Sequence, residues 1–321
     1  MKENMEALTA EDTKKATELI NRVIANVEKE IVGKREAIEL VLTALLARGH
    51  VLLEDVPGVG KTSLISCVAK SVDCGFKRIQ FTPDLMPSDV TGFSVYNQKS
   101  GEFEFRPGAV MSNLILADEI NRASAKTQAS LLEAMEEKQV TVDSVTYRLE
   151  RPFMVMATQN PVESFGTYPL PEAQIDRFLL KLQIGYPSVA EEQRIIHDKS
   201  AEREELSAVI SREDVIWLCE AADRVAMDPD IERYIVEITS ATRTNSRVLL
   251  GSSPRGSIAL SRTSRVRALF SGRNYVIPDD VKYLAPYVLA HRLILTHEAK
   301  TDRIEPEKVI QEILDSVIAP S

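Results

Sequence analysis

The stretch EDVPGVGKTS, residues 54–63, decides the reading of this chain. It follows a short apolar run, HVLLED (50–55), that fits a buried strand, and precedes a segment in which Leu64, Val68 and Ala69 recur at helical spacing. A strand, a turn-rich loop and a helix opening at Lys61 put backbone N–H groups at the positive end of a helix dipole, which is a site for an anion. Gly58 and Gly60 let the backbone wrap phosphates, Lys61 can reach the β and γ oxygens, and the Thr62 hydroxyl can ligate magnesium. The loop residues Pro57, Gly58, Val59, Gly60, Lys61, Thr62 and Ser63 are therefore the expected seat of a nucleoside triphosphate. The general pattern G-x-x-x-x-G-K-[ST] would put glycine where Asp55 stands, but the positions that touch phosphate and metal are intact.

Composition bounds what such a loop can serve. A chain of 321 residues, 44% hydrophobic, makes one large or two medium domains with ample core. No apolar run approaches the roughly 18–20 residues of a membrane span, and MKENMEALTAEDTKK lacks the apolar centre of a signal peptide. A cytoplasmic location is expected. Cys67, Cys74 and Cys219 are too few and too scattered for a disulfide framework or a zinc site, and Cys67 reads as a small buried residue on the helix after the loop. His50, His197, His291 and His297 show no metal-ligand spacing. The formal net charge of −9 argues against broad nucleic-acid binding. The seven arginines between Arg243 and Arg273 read as a solvated helix face with one or two phosphate contacts.

Short apolar runs alternate with helical patterns up to about residue 185, and the remainder reads as helices. After helical patterns at 12–29 and 35–48, strands are expected at 50–54, 76–81, 113–118, 153–158 and 178–184. Strands alternating with helices imply a parallel sheet covered on both faces, with ligands at the carboxyl ends of its strands. Two hairpins are expected as insertions, at 90–108 around Lys99-Ser100-Gly101 and at 139–150 around Asp143-Ser144, read equally as contacts for neighbours or clients and as ordinary surface hairpins. Tyr186-Pro187 marks a linker, so the expected domains are 1–187, α/β, and 188–321, all helical. In the second, Ser188-x-x-Glu191 and Ser211-x-x-Asp214 form capping boxes, and Pro254, Pro278 and Pro306 sit where helices start.

The residues that carry chemistry lie at strand ends. The run from Leu114 to Asp118 closes on Asp118-Glu119, where Asp118 would hold magnesium through water and Glu119 would polarise an attacking water. Asn160 tips another strand and can hydrogen-bond both a γ-phosphate and that water without adding charge. Arg177 ends a short helix; supplied across a subunit boundary it could stabilise phosphoryl transfer, while the plainer reading is an ion pair with Asp176 or Glu172. Arg255 sits in the first turn of a helix, where a cation opposes the dipole and calls for an anion such as a γ-phosphate.

In this order the motifs resemble the AAA+ ATPases and, within them, the MoxR family. The resemblance runs through IVGKREAIELVLTALLARGHVLLEDVPGVGKT, QFTPDLMPSDVTG, FRPGAV, LADEINRASAKTQASLLEAMEEKQVTVD, ATQNPVE, GTYPLPEAQIDRF and SSPRG, across about residues 30–270. The family's own loop carries aspartate at the place of Asp55. The resemblance implies an AAA+ core with two inserted hairpins and a C-terminal helical lid. It implies Lys61 and Thr62 as Walker A, Asp118 and Glu119 as Walker B, Asn160 as sensor 1, Arg177 as arginine finger and Arg255 as sensor 2, with Ile31, Val32 and Gly33 near the adenine. It also implies ATP and Mg2+ as cofactors, assembly into a homo-oligomeric ring, six subunits being the expected number, and protein clients that often carry a von Willebrand A domain. The segment SFGTYPLPEA departs from relatives that show a polar or acidic pair before GTYPLPEA. A magnesium-chelatase-like motor subunit and a nucleic-acid motor are the alternatives, the latter opposed by the acidic balance and by the lack of any added DNA-binding motif.

Overall fold

A computed structural model describes residues 7–54, 58–159, 167–198 and 206–320. Cα proximity groups the chain into two compact units, one of residues 22–178 and 182–216 and one of residues up to 21, 179–181 and 217–321. Helix α1 (Ala10–Val27) runs through the division.

Residues up to 198 are built around a five-stranded sheet. After α2 (Arg35–Leu46) come β1 (Val51–Glu54), α3 (Lys61–Ser71), β2 (Phe76–Gln80), α4 (Pro87–Thr91) and the ribbon β3 (Gly92–Asn97) with β4 (Glu102–Pro107). Then follow β5 (Leu114–Asp118), α5 (Ala125–Glu137), the ribbon β6 (Gln139–Val142) with β7 (Val145–Arg148), β8 (Met154–Gln159), α6 (Glu172–Ile175), β9 (Leu180–Leu182) and α7 (Val189–Asp198). The sheet order is β2-β5-β8-β1-β9, and β2, β5, β8 and β1 pair in parallel. Continuous apolar composition follows from burial on both faces: Leu114, Ile115, Leu116 and Ala117 of β5 and Met154 to Ala157 of β8 are all fully buried. Edge strand β2 is different, since Lys77 and Arg78 are exposed there.

Register brings four polar ends to one edge of this sheet. Glu54 of β1 pairs with Gln159 of β8, Gln80 of β2 with Asp118 of β5, and Ala117 with Ala157 one residue before. His50, at the foot of β1, is a structural joint: its Nδ1 accepts from Val155 N–H at 3.0 Å and its Nε2 faces the Met135 carbonyl at 3.1 Å, fitting a neutral ring protonated at Nε2. Cys67 is buried on α3.

Both ribbons are antiparallel hairpins turned by residues that tolerate positive φ, Gly101 in one (φ 71°) and Asp143 and Ser144 in the other (φ 47° and 68°). Phe105 of β4 stacks on Tyr147 of β7 with ring centroids 3.9 Å apart, so the two insertions meet. Tyr96 and Phe103 pair nearer the tip, and Phe103 remains 73% exposed.

Helices α8 (Arg212–Asp223) and α9 (Pro229–Thr244) lead into β10 (Val248–Leu250), α10 (Pro254–Phe270), α11 (Pro278–Leu289), β11 (Ile294–Leu295), α12 (His297–Thr301) and α13 (Pro306–Ser316). The expectation of helices alone is corrected here, because β10 and β11 form a small antiparallel pair. Only Val248 and Leu295 of that pair are buried, so no alternating pattern announces it. Proline opens α10, α11 and α13, and the capping boxes at Ser211–Asp214 and Ser188–Glu191 form in both directions. Arg273, after α10, grips Asp280 of α11 with two parallel hydrogen bonds of 2.8 and 2.7 Å. No helix among the described residues is long and apolar enough to cross a membrane.

Candidate functional site

Helix α3 starts without a side-chain cap. Its N-cap is Gly60, at φ 90° and ψ 16°, and Gly58 stands at φ 88°. A Cβ on either would meet nothing within 4 Å, so glycine is required by the backbone conformation and not by crowding. Gly60 brings no side chain to cap the first turn of α3, which carries Lys61, Thr62 and Ser63, and a helix N-terminus of this kind suits an anion.

Beside the loop lies a cavity of ≈ 620 Å³ lined by Ile31, Val32, Gly58, Val59, Gly60 and Ser63 among others. This gathers residues from several distant segments of sequence, Ile184 and Pro187 included, against one mixed apolar and polar space, sized for a nucleoside. Gly33 does not line it. It stands at φ +72° with Glu191 against it, so that a Cβ would fall 1.6 Å from Glu191 Oε1. The Ser188 backbone N–H, then its hydroxyl, hold the Glu191 carboxyl below the usual carboxylate range, and Lys34 and Arg194 add to this.

At the carboxyl edge of the sheet, Asp118 and Glu119 sit inside a closed hydrogen-bond circuit. Thr158 Oγ1, fully buried, donates to Asp118 Oδ1 at 2.6 Å and accepts from Glu119 N–H at 2.8 Å. Arg78 Nη2 meets Asp118 Oδ2 at 2.6 Å and donates to Gln80 Oε1 at 3.1 Å. Gln80 Nε2 in turn donates to Glu119 Oε2 at 2.7 Å, and Arg122 Nη1 reaches the same oxygen at 2.9 Å. Glu119 has left-handed backbone angles, φ 54° and ψ 51°, a conformation that costs a non-glycine residue about 1–3 kcal/mol and that strong local bonding must hold.

Arg78, Gln80, Thr158 and Arg122 were not among the residues singled out by sequence. Each is an ordinary polar residue in its own segment, and parallel pairing alone brings the first three beside the carboxylates. The set fits a divalent cation in kind: Asp118 is an oxygen donor that already faces a cation, the guanidinium of Arg78, and the Thr62 hydroxyl is a second hard donor. Pro57 and Asn160 lie outside the described residues.

Arg177 does not join this cluster. It follows α6 and is drawn to α5, with Nη1 at 2.7 Å from Glu136 Oε2 and donating to the Leu132 carbonyl at 3.0 Å. Its Nε is buried without a hydrogen-bond partner. Arg255 is exposed in the first turn of α10, where its N–H is capped by the Ser253 hydroxyl. Gly256 next to it packs so tightly that a Cβ would fall 2.0 Å from Ser252 Oγ and 3.0 Å from Leu289 Cδ2, which explains glycine in SSPRG.

The family model described as ATPase family associated with various cellular activities (AAA) matches residues 50–180, and one described as AAA lid domain matches residues 240–313. The chain is similar to Chaperone MoxR1 of Mycobacterium tuberculosis, 44% identical with 94% of this chain and 82% of that protein covered. It is also similar to Uncharacterized protein YeaC of Bacillus subtilis, 56% identical over 94% of this chain and 95% of that one. A Cytophaga hutchinsonii crystal structure, described as that of a candidate ATPase, superposes with a TM-score of 0.92 at 42% identity, covering 97% of this chain and 98% of that one.

Proposed function

This chain belongs to the MoxR family of AAA ATPases, enzymes that bind and hydrolyse ATP, and on that premise we propose that it is a magnesium-dependent, cytoplasmic motor that remodels, assembles or matures partner proteins. The motor is a ring of six identical subunits with an active site at each boundary. The similarity to a protein named a chaperone supports this client class, and partners carrying a von Willebrand A domain are the proposed clients.

One observation carries the catalytic part of the reading. Thr158 ties the side chain of Asp118 to the backbone of Glu119, so both carboxylates are fixed at the sheet edge where a nucleotide on the α3 loop would present its γ-phosphate. In the proposed mechanism the α3 N-terminus and Lys61 bind the phosphates, and Thr62 and Asp118 are the residues that would hold magnesium. That ion would supply charge neutralisation during phosphoryl transfer. Ile31 and Val32, which line the cavity beside the loop, border the base. Glu119 orients the attacking water and draws on its proton, and Asn160 holds the same water. Arg177 of one subunit offsets charge on the γ-phosphoryl group in its neighbour. Arg255 is assigned to the γ-phosphate on charge grounds, as a cation in a first helical turn.

Glu119→Gln tests the assignment. It should retain nucleotide binding, measured with a fluorescent ATP analogue, while turnover falls about 10²- to 10⁴-fold, the range for loss of a general base. Unchanged turnover would defeat the site.

A further inference from the structure

We infer that Arg78 is a positioning residue that competes with the divalent cation for Asp118 and, through Gln80, links occupancy of the metal site to the hold on Glu119. The inference rests on the proposed roles of Asp118 and Glu119 and adds a residue from the edge strand that those roles do not require.

Four bonds carry it. Arg78 Nη2 meets Asp118 Oδ2 at 2.6 Å, the shorter of the two routes by which β2 reaches the carboxylates. The same nitrogen donates to Gln80 Oε1 at 3.1 Å. The Gln80 amide donates from its other end to Glu119 Oε2 at 2.7 Å. Asp118 Oδ1 is engaged separately by Thr158. Oδ2 is thus the carboxylate oxygen at which a second cation would arrive, and it is the one the guanidinium holds.

Charge decides the direction of the effect. The Arg78 side chain is 49% exposed and that of Asp118 only 13%, so the guanidinium can swing into solvent while the carboxylate stays in place. An ion pair this open contributes little to stability, which leaves its position beside two carboxylates as its consequence. Two cations at one oxygen repel each other. A divalent ion near Oδ2 therefore weakens the hold on Arg78, Gln80 Oε1 loses its donor, and the amide that restrains Glu119 loosens. Arg122 remains on Glu119, so the carboxylate is not released altogether.

The test uses the full chain and a non-hydrolysable fluorescent ATP analogue titrated with magnesium. Arg78→Ala should lower the half-saturating magnesium concentration about two- to fivefold, as expected for loss of a partly exposed competing cation. Arg78→Lys, which keeps the charge, should stay near the wild type. An unchanged half-saturation in Arg78→Ala overturns the competition. For the link to Glu119, kcat at saturating magnesium is compared in Arg78→Ala, Gln80→Leu and the double variant. A double variant no slower than the slower single supports one pathway, and additive losses overturn it. Asp118→Asn separates the two levels: loss of magnesium dependence in analogue binding supports the metal assignment, so that a failure of Arg78→Ala then counts against Arg78 alone. Retained dependence removes Asp118 as a metal residue and the inference with it.

Discussion

The carboxyl edge of the sheet and the two inserted ribbons belong to the same unit and are built on opposite principles. At the edge, every polar group of Asp118, Glu119, Thr158 and Gln80 named above is engaged by a neighbour, and one residue is held in strained backbone geometry. On the ribbons, Phe93, Tyr96, Phe103 and Val145 are exposed, and Phe103 is 73% open to solvent. The first arrangement fixes atoms to fractions of an ångström, as chemistry requires. The second tolerates variation and leaves apolar surface for something outside the chain to cover. Fixed polar chemistry and open apolar surface are thus separated in this fold.

Substitutions can break that contrast at successive depths. The largest effect is expected at Arg177. Arg177→Ala should reduce turnover about 10³- to 10⁵-fold, the range seen for arginines acting across subunits. Mixing it with a Lys61→Ala partner, which keeps Arg177, should restore activity in a steady-state assay; silence in the mixture would mean Arg177 serves only its own α5.

Thr158→Val keeps the shape of the sheet edge but removes both the donor to Asp118 and the acceptor for Glu119 N–H. We expect about 1–3 kcal/mol lost in urea unfolding, the penalty for a buried unsatisfied donor, together with slower hydrolysis. A stable variant with normal turnover would show that the circuit does not position the carboxylates. Gly60→Ala has open space for its methyl group, yet φ 90° should destabilise it by about 1–2 kcal/mol. Calorimetry with and without nucleotide will show whether ligand binding suffers as well. The smallest change is expected on the ribbon: Phe103→Ser should alter stability by less than about 0.5 kcal/mol and leave basal hydrolysis intact. A marked loss of activity there would erase the division between the two regions.

Much of the fold was legible because burial wrote it into composition. β1, β5 and β8 are continuous apolar runs, α3 follows a glycine loop, and the ribbon turns carry Gly101 or Asp143-Ser144 at positive φ. The β10–β11 pair was not legible, since three residues and two residues are too short to carry a period. At the site, Asp118-Glu119 stood out as an acidic pair closing an apolar strand. Arg78, Gln80 and Thr158 did not, because their significance lies in register: Gln80 pairs with Asp118, and Ala157 beside Thr158 pairs with Ala117. Sequence held the strands but not their neighbours. Arg177 teaches the same lesson, its carboxylate partner being Glu136 on α5 and not the adjacent Asp176 or Glu172 considered from sequence.

The stack of Phe105 on Tyr147 makes a mechanical unit of two hairpins that the chain inserts separately. Tyr147 also packs against the central apolar cluster, and β6 begins one residue after the left-handed Lys138 that ends α5. A pull on the β3–β4 tip is therefore borne by β7, crosses the β6–β7 pairing to the end of α5, and arrives where Glu136 and the Leu132 carbonyl hold Arg177. Tension applied at one extremity of the unit has a continuous load path to the arginine, with aromatic stacking as its first coupling.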